Sequence, residues 1–276
     1  MANLAKIAFE RRLDVLEMVY RAKTGHLGGS MSCMDVLVCL YYEVMNTKKI
    51  HELATDRDRF ILSKGHNGEA LYTILADTGF FPKQELDTYA CFDTRLAEHP
   101  NHKLPGIEIG TGALGHGLSV GVGAALALKR DANPAHVYVL MGDGEQAEGS
   151  IWEAAMAASS FALGNLTAIV DRNHLQITSD TEHVMPMNDL AQRYTAFGWQ
   201  VVACKGNDPA QVCAALRTRA TNKPVLVLAN TVKGYGSAVM ENRVDWHHRV
   251  PTAEEYAQIK ANLQERMMCE DGKGIV

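Results

Sequence analysis

Two oxygen-bearing side chains follow two strand-like runs of the sequence, in positions suited to binding a metal ion. The first run leads into the tripeptide GDG at 142–144, whose acid is Asp143, and the second ends at Asp171, just before Asn173. Asp143 and Asn173 lie thirty positions apart, which leaves room for one helix between two parallel strands. Because neighbouring parallel strands end at the same edge of a sheet, the spacing predicts that both side chains face one cation.

This cation would be a hard divalent ion bound beside a phosphate group. Magnesium favours six oxygen ligands, commonly one or two side chains together with waters and ligand phosphates. Asp143, Asn173 and the backbone carbonyl of Leu175 would supply the protein oxygens, while Gly142 and Gly144 would let the backbone approach a phosphate closely. Taken singly, GDG is compatible with an ordinary turn and Asn173 with a helix cap. Their pairing after two strands favours the metal–phosphate site.

The segments around this pair alternate between strand-like and helix-like patterns. Strands with apolar residues on both faces are predicted at Arg59–Leu62, His136–Met141, Leu166–Asp171, Trp199–Cys204 and Pro224–Asn230. Helices are predicted at about residues 3–23 and 33–45, and at Ala70–Ala76, Gly117–Arg130, Ile151–Leu163, Leu190–Phe197 and Pro209–Thr218. This alternation indicates an α/β fold with a parallel sheet covered by helices on both faces. With no internal repeat or linker, the sequence favours one domain over residues 1–276, with 252–276 as a helical tail.

Composition excludes several other classes of protein. The 276 residues carry a formal net charge of −5 with 47 % hydrophobic residues, so neither nucleic acid nor a membrane surface is an expected partner. No apolar run approaches the roughly 18 residues of a membrane span. The first residues are interrupted by Lys6, Glu10 and Arg11, unlike a signal or transit peptide. The six cysteines are widely spaced, which favours reduced thiols and a cytoplasmic location.

The segment from Gly142 to Asn173 resembles the thiamine-diphosphate signature, in which GDG is followed some thirty residues later by asparagine. Further segments resemble one branch of that superfamily, the transketolases, and occur in the same order. They are TGHLGGSM at 24–31, DRDRFILSKGH at 56–66, EHP at 98–100 and TGALGHG at 111–117. The similarity covers about residues 8–250. It implies a thiamine-diphosphate-binding fold whose cofactor is held through Mg²⁺, or through Ca²⁺ or Mn²⁺.

The resemblance also implies roles for histidines, whose pKa near neutrality suits proton transfer. His26, His66 and His99 would line a substrate channel and contact sugar hydroxyls or the carbonyl oxygen. His247 would lie near the cofactor's diphosphate and reactive ring, and the adjacent His248 is an alternative for that position. Each of these also has a structural interpretation, such as His66 capping the helix that follows it.

Other positions of the family pattern concern the cofactor itself. By resemblance, Gly112 and Leu114 would touch the ring system, and Glu148 would belong to a hydrogen-bonded link between paired active sites. Glu148 near a helix start is equally compatible with a simple response to the helix dipole. The full set implied for the cofactor is Gly112, Leu114, Gly142, Asp143, Gly144, Asn173, His66 and His247, with Asp143, Asn173 and Leu175 on the metal.

Several residues depart from the transketolase pattern and leave the sugar open. Leu27 and Ala113 stand where prolines are usual, His116 replaces a glutamine, and Arg172 replaces an acidic or amide residue. The GHLG form is similar to deoxyxylulose-phosphate synthases. Two alternatives therefore remain beside transketolase: the same cofactor chemistry on another sugar or acceptor, and a non-catalytic paralogue. A dinucleotide enzyme is disfavoured because no G-x-G-x-x-G follows the first strand.

The resemblance implies a partner as well. In the family, the glutamate that activates the cofactor lies in a pyrimidine-binding domain, which this sequence does not contain. The chain therefore resembles the N-terminal subunit of a split transketolase. We expect it to pair with a C-terminal, pyrimidine-binding subunit in an α2β2 heterotetramer, and to transfer a two-carbon ketol unit from a ketose phosphate to an aldose phosphate.

Overall fold

A sheet of five parallel strands forms the centre of the protein. The computed structural model describes residues 3–272. The strands of this sheet are β1 (Arg59–Leu62), β2 (Val137–Gly142), β3 (Leu166–Arg172), β6 (Gln200–Lys205) and β7 (Val225–Asn230), and their spatial order is β1-β2-β3-β7-β6. Between β3 and β6, a small antiparallel hairpin is formed by β4 (Leu175–Gln176) and β5 (Ser179–Asp180). The parallel sheet predicted from the doubly apolar runs is confirmed.

Helices occupy most of the connections between these strands. The α-helices are α1 (Leu4–Ala22), α2 (Leu27–Cys39), α3 (Thr47–His51), α4 (Gly68–Asp77), α5 (Gly117–Arg130), α6 (Gly149–Ser160), α7 (Thr181–Val184), α8 (Leu190–Ala196), α9 (Pro209–Leu216) and α10 (Ala253–Gly272). A π-helical turn spans Leu40–Val44, and 3-10 turns span Gly65–Asn67, Lys83–Thr88, Gly144–Ala147 and Val244–Trp246. Helix α6 connects β2 to β3, as the thirty-residue spacing predicted.

Helices cover both faces of the sheet. Along β2 the side chains alternate: Tyr138 and Leu140 belong to a core shared with α1, α2, α4 and α9. Val137, Val139 and Met141 belong to a second core, shared with α5, α6 and α8. Because successive residues of a strand point to opposite faces, both faces of the sheet are buried, which explains the continuous apolar run. The α/β class with helices on both faces is therefore confirmed.

Helix α2 begins earlier than the sequence indicated. The helix predicted at 33–45 instead starts at Leu27 and includes Gly28 and Gly29, two residues with low helix propensity. Both glycines are needed for close packing, because a Cβ on Gly28 would lie 2.6 Å from the Trp246 carbonyl oxygen, and one on Gly29 would lie 2.8 Å from the Asn67 side chain. The helix axis therefore approaches these neighbours closely and carries the preceding residue, His26, at its N-cap.

The predicted C-terminal helix is present as α10. It packs along α1, and the ring of Tyr256 stacks on Tyr20 with centroids 4.2 Å apart. Of the tail predicted at 252–276, residues 273–276 lie outside the described residues. Across residues 3–272, no helix combines the length and the apolar character that a membrane crossing requires. The assignment of residues 1–276 to one domain stays a prediction.

Candidate active site

A cavity of about 180 Å³ lies at the carboxyl ends of the parallel strands. The register aligns Gly142 of β2 with Asp171 of β3, so these two strands end at the same level. Most of the predicted site residues line this cavity: His26, His66, Gly112, Leu114, Gly142, Asp143, Gly144, Asn173, Leu175 and His247. Segments spread over more than 200 positions of the chain therefore meet in one continuous site.

Asp143 and Asn173 face the same cavity, as the spacing predicted. Asp143 is 2 % exposed, and its carboxylate accepts hydrogen bonds from the backbone N–H groups of Gly144 at 2.8 Å and His174 at 2.6 Å. The second bond joins the loop after β2 to the loop after β3. Burial, and secondarily the charge of Asp171, raise the pKa of Asp143 to about 6. A carboxylate held in this way would gain from a bound cation.

The loop after β3 is shaped by Asn173. Its side-chain oxygen accepts the backbone N–H of Leu175 at 3.1 Å, and the left-handed φ of +67° at His174 turns the chain into the β4–β5 hairpin. Gly144 faces this hairpin, and a Cβ there would lie 2.9 Å from the Gln176 side chain. The two loops thus form a narrow cradle around one end of the cavity.

A buried charge cluster that the sequence did not reveal lies beneath this cradle. Asp171 is completely buried, forms an ion pair with Lys64, and accepts a hydrogen bond from Ser32 at 2.6 Å and another from Thr231. Burial disfavours the charged form of Lys64, but the Asp171 carboxylate raises the pKa of this lysine overall. Asp171 therefore ties α2 and the ends of β1 and β7 to the tip of β3.

Lys233 is a second buried lysine, and it lines the cavity. It is 1 % exposed, and its Nζ lies 3.4 Å from Nδ1 of His247. Burial, together with the charge of Lys64, lowers the pKa of Lys233 to about 8. At neutral pH, Lys233 is thus a mostly protonated ammonium group whose charge is poorly balanced, which suits an anionic ligand.

The rings of three histidines, His26, His66 and His247, belong to the cavity lining. The centroid of His26 lies 5.2 Å from that of His66, 5.5 Å from that of His247 and 4.6 Å from that of His248. Burial and the neighbouring histidines lower the pKa of His26 to about 3, and burial with Lys233 lowers that of His247 to about 4. Burial and Lys64 lower the pKa of His66 well below its usual value. The three cavity-lining rings are therefore neutral at pH 7.

The remaining predicted residues occupy different positions around the cavity. Gly112 has a φ of +154°, and a Cβ there would lie 3.1 Å from His99, so a side chain at this position would crowd that ring. His99 itself is exposed and is not part of the cavity lining, although its centroid lies 6.3 Å from that of His26. Its predicted role toward substrate stays a prediction.

Glu148 also lies outside the cavity lining. It is exposed at the N-cap of α6 and makes no side-chain capping bond to the helix. The neighbouring Glu145 does line the cavity and accepts the backbone N–H groups of Gly115 at 2.9 Å and Gly142 at 3.0 Å. Glu145 therefore fixes the GDG turn against the 111–117 loop. The role of Glu148 between paired active sites stays a prediction.

The unusual Arg172 is accommodated beside the acidic end of the cavity. Its guanidinium donates to Thr181 at 2.7 Å and Glu182 at 3.0 Å, and lies 3.4 Å from the Asp143 carboxylate. The two short contacts hold Arg172 against α7, at the end of the hairpin. The longer contact leaves Asp143 bonded mainly to backbone N–H groups.

Comparison with known families agrees with this geometry. Residues 4–266 match the family described as "Transketolase, thiamine diphosphate binding domain". The chain belongs to this family, and the sequence-based prediction of a thiamine-diphosphate-binding transketolase-family subunit is confirmed.

Several curated relatives are of similar length. The chain is 47 % identical over 260 residues to one subunit of the apulose-4-phosphate transketolase of Phocaeicola vulgatus, covering 94 % of this chain and 92 % of the relative. It is 39 % identical over 252 residues to the 6-deoxy-6-sulfo-D-fructose transketolase subunit SqwG of a Clostridium species, covering 90 % of this chain and 92 % of the relative.

Solved transketolases are longer. The Leishmania mexicana enzyme matches with a TM-score of 0.86 and 26 % identity, over 99 % of this chain and 46 % of its own. The Campylobacter jejuni enzyme matches with a TM-score of 0.88 and 26 % identity, over 98 % of this chain and 46 % of its own. The chain therefore spans about half the length of these transketolases.

The polar and charged side chains of the cavity fit thiamine diphosphate bound through a divalent cation. The acidic end offers the carboxylate of Asp143 and the side chain of Asn173, the oxygen-rich set that magnesium prefers. The basic side offers Lys233, whose buried charge lacks a close anionic partner among the described residues. A metal-bound diphosphate would neutralise both ends at once, and the glycines at 142 and 144 leave room for its approach.

Proposed function

We propose that this chain is the diphosphate-binding subunit of a transketolase that transfers a two-carbon ketol unit from a ketose phosphate to an aldose phosphate. The observation that carries the proposal is the cavity lined by Asp143 and Asn173 together with Lys233 and His247. A site with a cation-binding end and a cationic wall suits a metal-bound diphosphate. Family membership supplies the cofactor class.

The chain's own residues would hold the cofactor's diphosphate. Asp143, Asn173 and the carbonyl of Leu175 would bind Mg²⁺, while Lys233 would donate to diphosphate oxygens. The hydrogen bond from His174 to Asp143 fixes the two loops relative to each other, so these ligands need little rearrangement. When bound, thiamine diphosphate would supply a nucleophilic carbon for the ketose carbonyl and an electron sink for the electron pair left on the two-carbon unit when the adjacent carbon–carbon bond breaks.

The histidines would bind the sugar substrate. Because His26, His66 and His247 are neutral at pH 7, each ring offers one N–H donor and one nitrogen acceptor to hydroxyl groups. A nearby diphosphate would raise the pKa of His247 by offsetting the charges of Lys233 and Lys64, which brings this ring closer to the range of an effective general base. His99 would contact the substrate from the outer side of Gly112.

A second polypeptide would complete the site. Two relatives of similar length are each named as one subunit of an apulose-4-phosphate transketolase, and solved transketolases are about twice as long as this chain. We propose a partner that carries the pyrimidine-binding half, in the α2β2 assembly expected from the sequence. Glu148, exposed at the start of α6, would then face a neighbouring subunit. The cytoplasmic location stays a prediction.

The identity of the sugar is the second part of the proposal. Relatives of this size are named for apulose 4-phosphate and for 6-deoxy-6-sulfo-D-fructose. Four residues depart from the transketolase pattern, namely Leu27, Ala113, His116 and Arg172. These departures suit a different sugar, either a pathway-specific ketose or a deoxyxylulose-phosphate-type acceptor, better than they suit a different cofactor. A panel of donor ketoses assayed with the partner present would separate these alternatives.

Cofactor binding and turnover test the proposal together. Isothermal titration of the chain with thiamine diphosphate in the presence of Mg²⁺ should show binding that Asp143→Ala abolishes without changing the far-UV circular dichroism spectrum. Asp131→Ala, which removes an exposed carboxylate at the end of α5, is the matched control and should bind normally. The chain alone should show almost no ketol transfer, and addition of the partner subunit should restore it.

Two results would contradict the proposal. Unchanged Mg²⁺-dependent cofactor binding by Asp143→Ala would remove the assigned metal site. Robust ketol transfer by the isolated chain would remove the need for a second subunit.

A further inference from the structure

We propose that His26, Glu98 and His248 form a second metal site, one that binds Zn²⁺ or a similar transition-metal ion. One ligand atom from each of the three side chains lies within 4.8 Å of the other two. The cluster is distinct from the Asp143 end of the cavity, because Glu98 and His248 are not part of the cavity lining. An ion in this cluster would bind in addition to the magnesium of the proposed function.

The chemistry of the three side chains selects the class of ion. Two imidazoles and one carboxylate match the three protein ligands of catalytic zinc sites, which keep a further position open for water or substrate. Magnesium disfavours such a set because it prefers an all-oxygen octahedron. The two sites of this chain should therefore bind different ions from a mixture.

Each ligand is anchored by a separate part of the fold. The backbone N–H of His26, at the start of α2, donates to the buried carboxylate of Glu69 at 2.7 Å. The hydroxyl of Thr24 donates to Glu98 and lies 3.4 Å from Nε2 of His248, so it orients both ligands. Such outer contacts fix ligand geometry and strengthen metal binding.

His248 is positioned by its neighbours in sequence. Trp246 is completely buried, and the guanidinium of Arg249 lies 4.4 Å from the centroid of its ring. These contacts on either side of His248 hold its backbone in place while its ring stays exposed to solvent.

An unpartnered nitrogen points independently to a missing ligand. Nδ1 of His26 is buried and has no hydrogen-bond partner within the part of the chain that the structure describes. A buried nitrogen without a hydrogen-bond partner is unfavourable, so binding to an ion would be favoured.

The ion would have access from solvent and would affect the cavity. Glu98 is half-buried and His248 exposed, whereas His26 belongs to the cavity wall. An ion held by all three would withdraw the His26 ring from the sugar. Transition-metal ions should thus inhibit the complete enzyme, a consequence that rests on the proposed function, whereas binding itself does not.

Zinc titration calorimetry tests the site directly. The full chain would be titrated with Zn²⁺ in saturating Mg²⁺, with Cys91 and Cys269 replaced by serine because both are exposed. We expect one tight binding event, weakened at least tenfold by Glu98→Gln and by His248→Asn. His183→Asn, which removes an exposed histidine hydrogen-bonded to Asp180 outside the cluster, should leave it unchanged.

Cobalt gives a second readout that does not depend on activity. Co²⁺ at this site should show the intense visible absorption of a four- or five-coordinate ion, and this absorption should disappear in His248→Asn. Equal Zn²⁺ affinity in the parent and both cluster variants, or only the weak spectrum of six-coordinate Co²⁺, would overturn the proposal. Asp143→Ala separates it from the proposed function, since that variant should lose Mg²⁺-dependent cofactor binding but keep the zinc event.

Discussion

Replacement of Lys233 by methionine should stabilise the isolated chain while weakening its affinity for diphosphate. The lysine stem packs against Gly28, where a Cβ would lie 3.1 Å from it, and methionine preserves that apolar stem. What the substitution removes is the ammonium group, which is buried beside His247. Stability and ligand binding should therefore change in opposite directions.

The magnitude follows from the pKa of Lys233. Burial lowers this pKa from 10.5 to about 8. Since one pH unit corresponds to about 1.4 kcal/mol, keeping Lys233 charged in the folded chain costs about 3 kcal/mol. A lysine whose folded pKa lies below its unfolded value destabilises the fold fully below pH 8, and the cost is relieved as the pH rises from 8 to 10.5.

Urea unfolding at several pH values measures this effect. At pH 7, Lys233→Met should raise the free energy of unfolding by about 1–3 kcal/mol, since some of the charge cost is already relaxed by solvent. The difference in the free energy of unfolding between the variant and the parent should shrink between pH 8 and 10. Pyrophosphate with Mg²⁺ should stabilise the parent chain and bind the variant at least tenfold more weakly. Lys223→Met, an exposed lysine before β7, is the control.

Lower stability of Lys233→Met than of the parent at pH 7 would refute a destabilising buried charge, as would an advantage that does not change with pH. Equal binding of pyrophosphate to both proteins would show that Lys233 does not face the anion.

Two further predictions concern contacts that position the site, one of them close packing and the other a buried ion pair. Gly117→Ala should lower the free energy of unfolding by about 1–3 kcal/mol, because the added Cβ would lie 2.3 Å from Ser63 Oγ and 2.9 Å from Ser63 Cα. Gly123→Ala, in the same helix but with open space around the added Cβ, should raise the free energy of unfolding by up to about 1 kcal/mol. Equal effects of the two substitutions in thermal unfolding would contradict this packing. Asp171→Asn should lower the free energy of unfolding, measured with urea, by about 3–5 kcal/mol, because Lys64 is left buried and unpaired. A decrease of less than about 1 kcal/mol would show that this ion pair is not essential for stability.

The fold was largely predictable because its strands are buried on both faces. Val137–Gly142 and Leu166–Arg172 are almost continuously apolar until the polar residues of the site begin, so periodicity and length identify them. Helix α2 was misplaced at its start, since the intrinsic cost of Gly28 and Gly29 in a helix is outweighed by tertiary packing that no local pattern records.

The candidate site was predictable where its residues follow a strand within a motif. Asp143 and Asn173 satisfied both conditions. Lys64 and Lys233 also follow strand ends, after β1 and β7, but lysine is normally a surface residue, and its burial becomes apparent only from the sheet order. Glu145 was missed for a similar reason, because only the structure shows its carboxylate turned back onto the GDG loop.

The hydrogen bond from His174 to Asp143 also affects how quickly a ligand can be captured. Since the two strand tips are joined in the folded chain, the conformational entropy of ordering them is lost during folding rather than during association. Encounter with a metal–diphosphate complex should therefore be limited by diffusion and desolvation of the ion. Differences in affinity among variants of this cradle should then arise mainly from how long the ligand resides there.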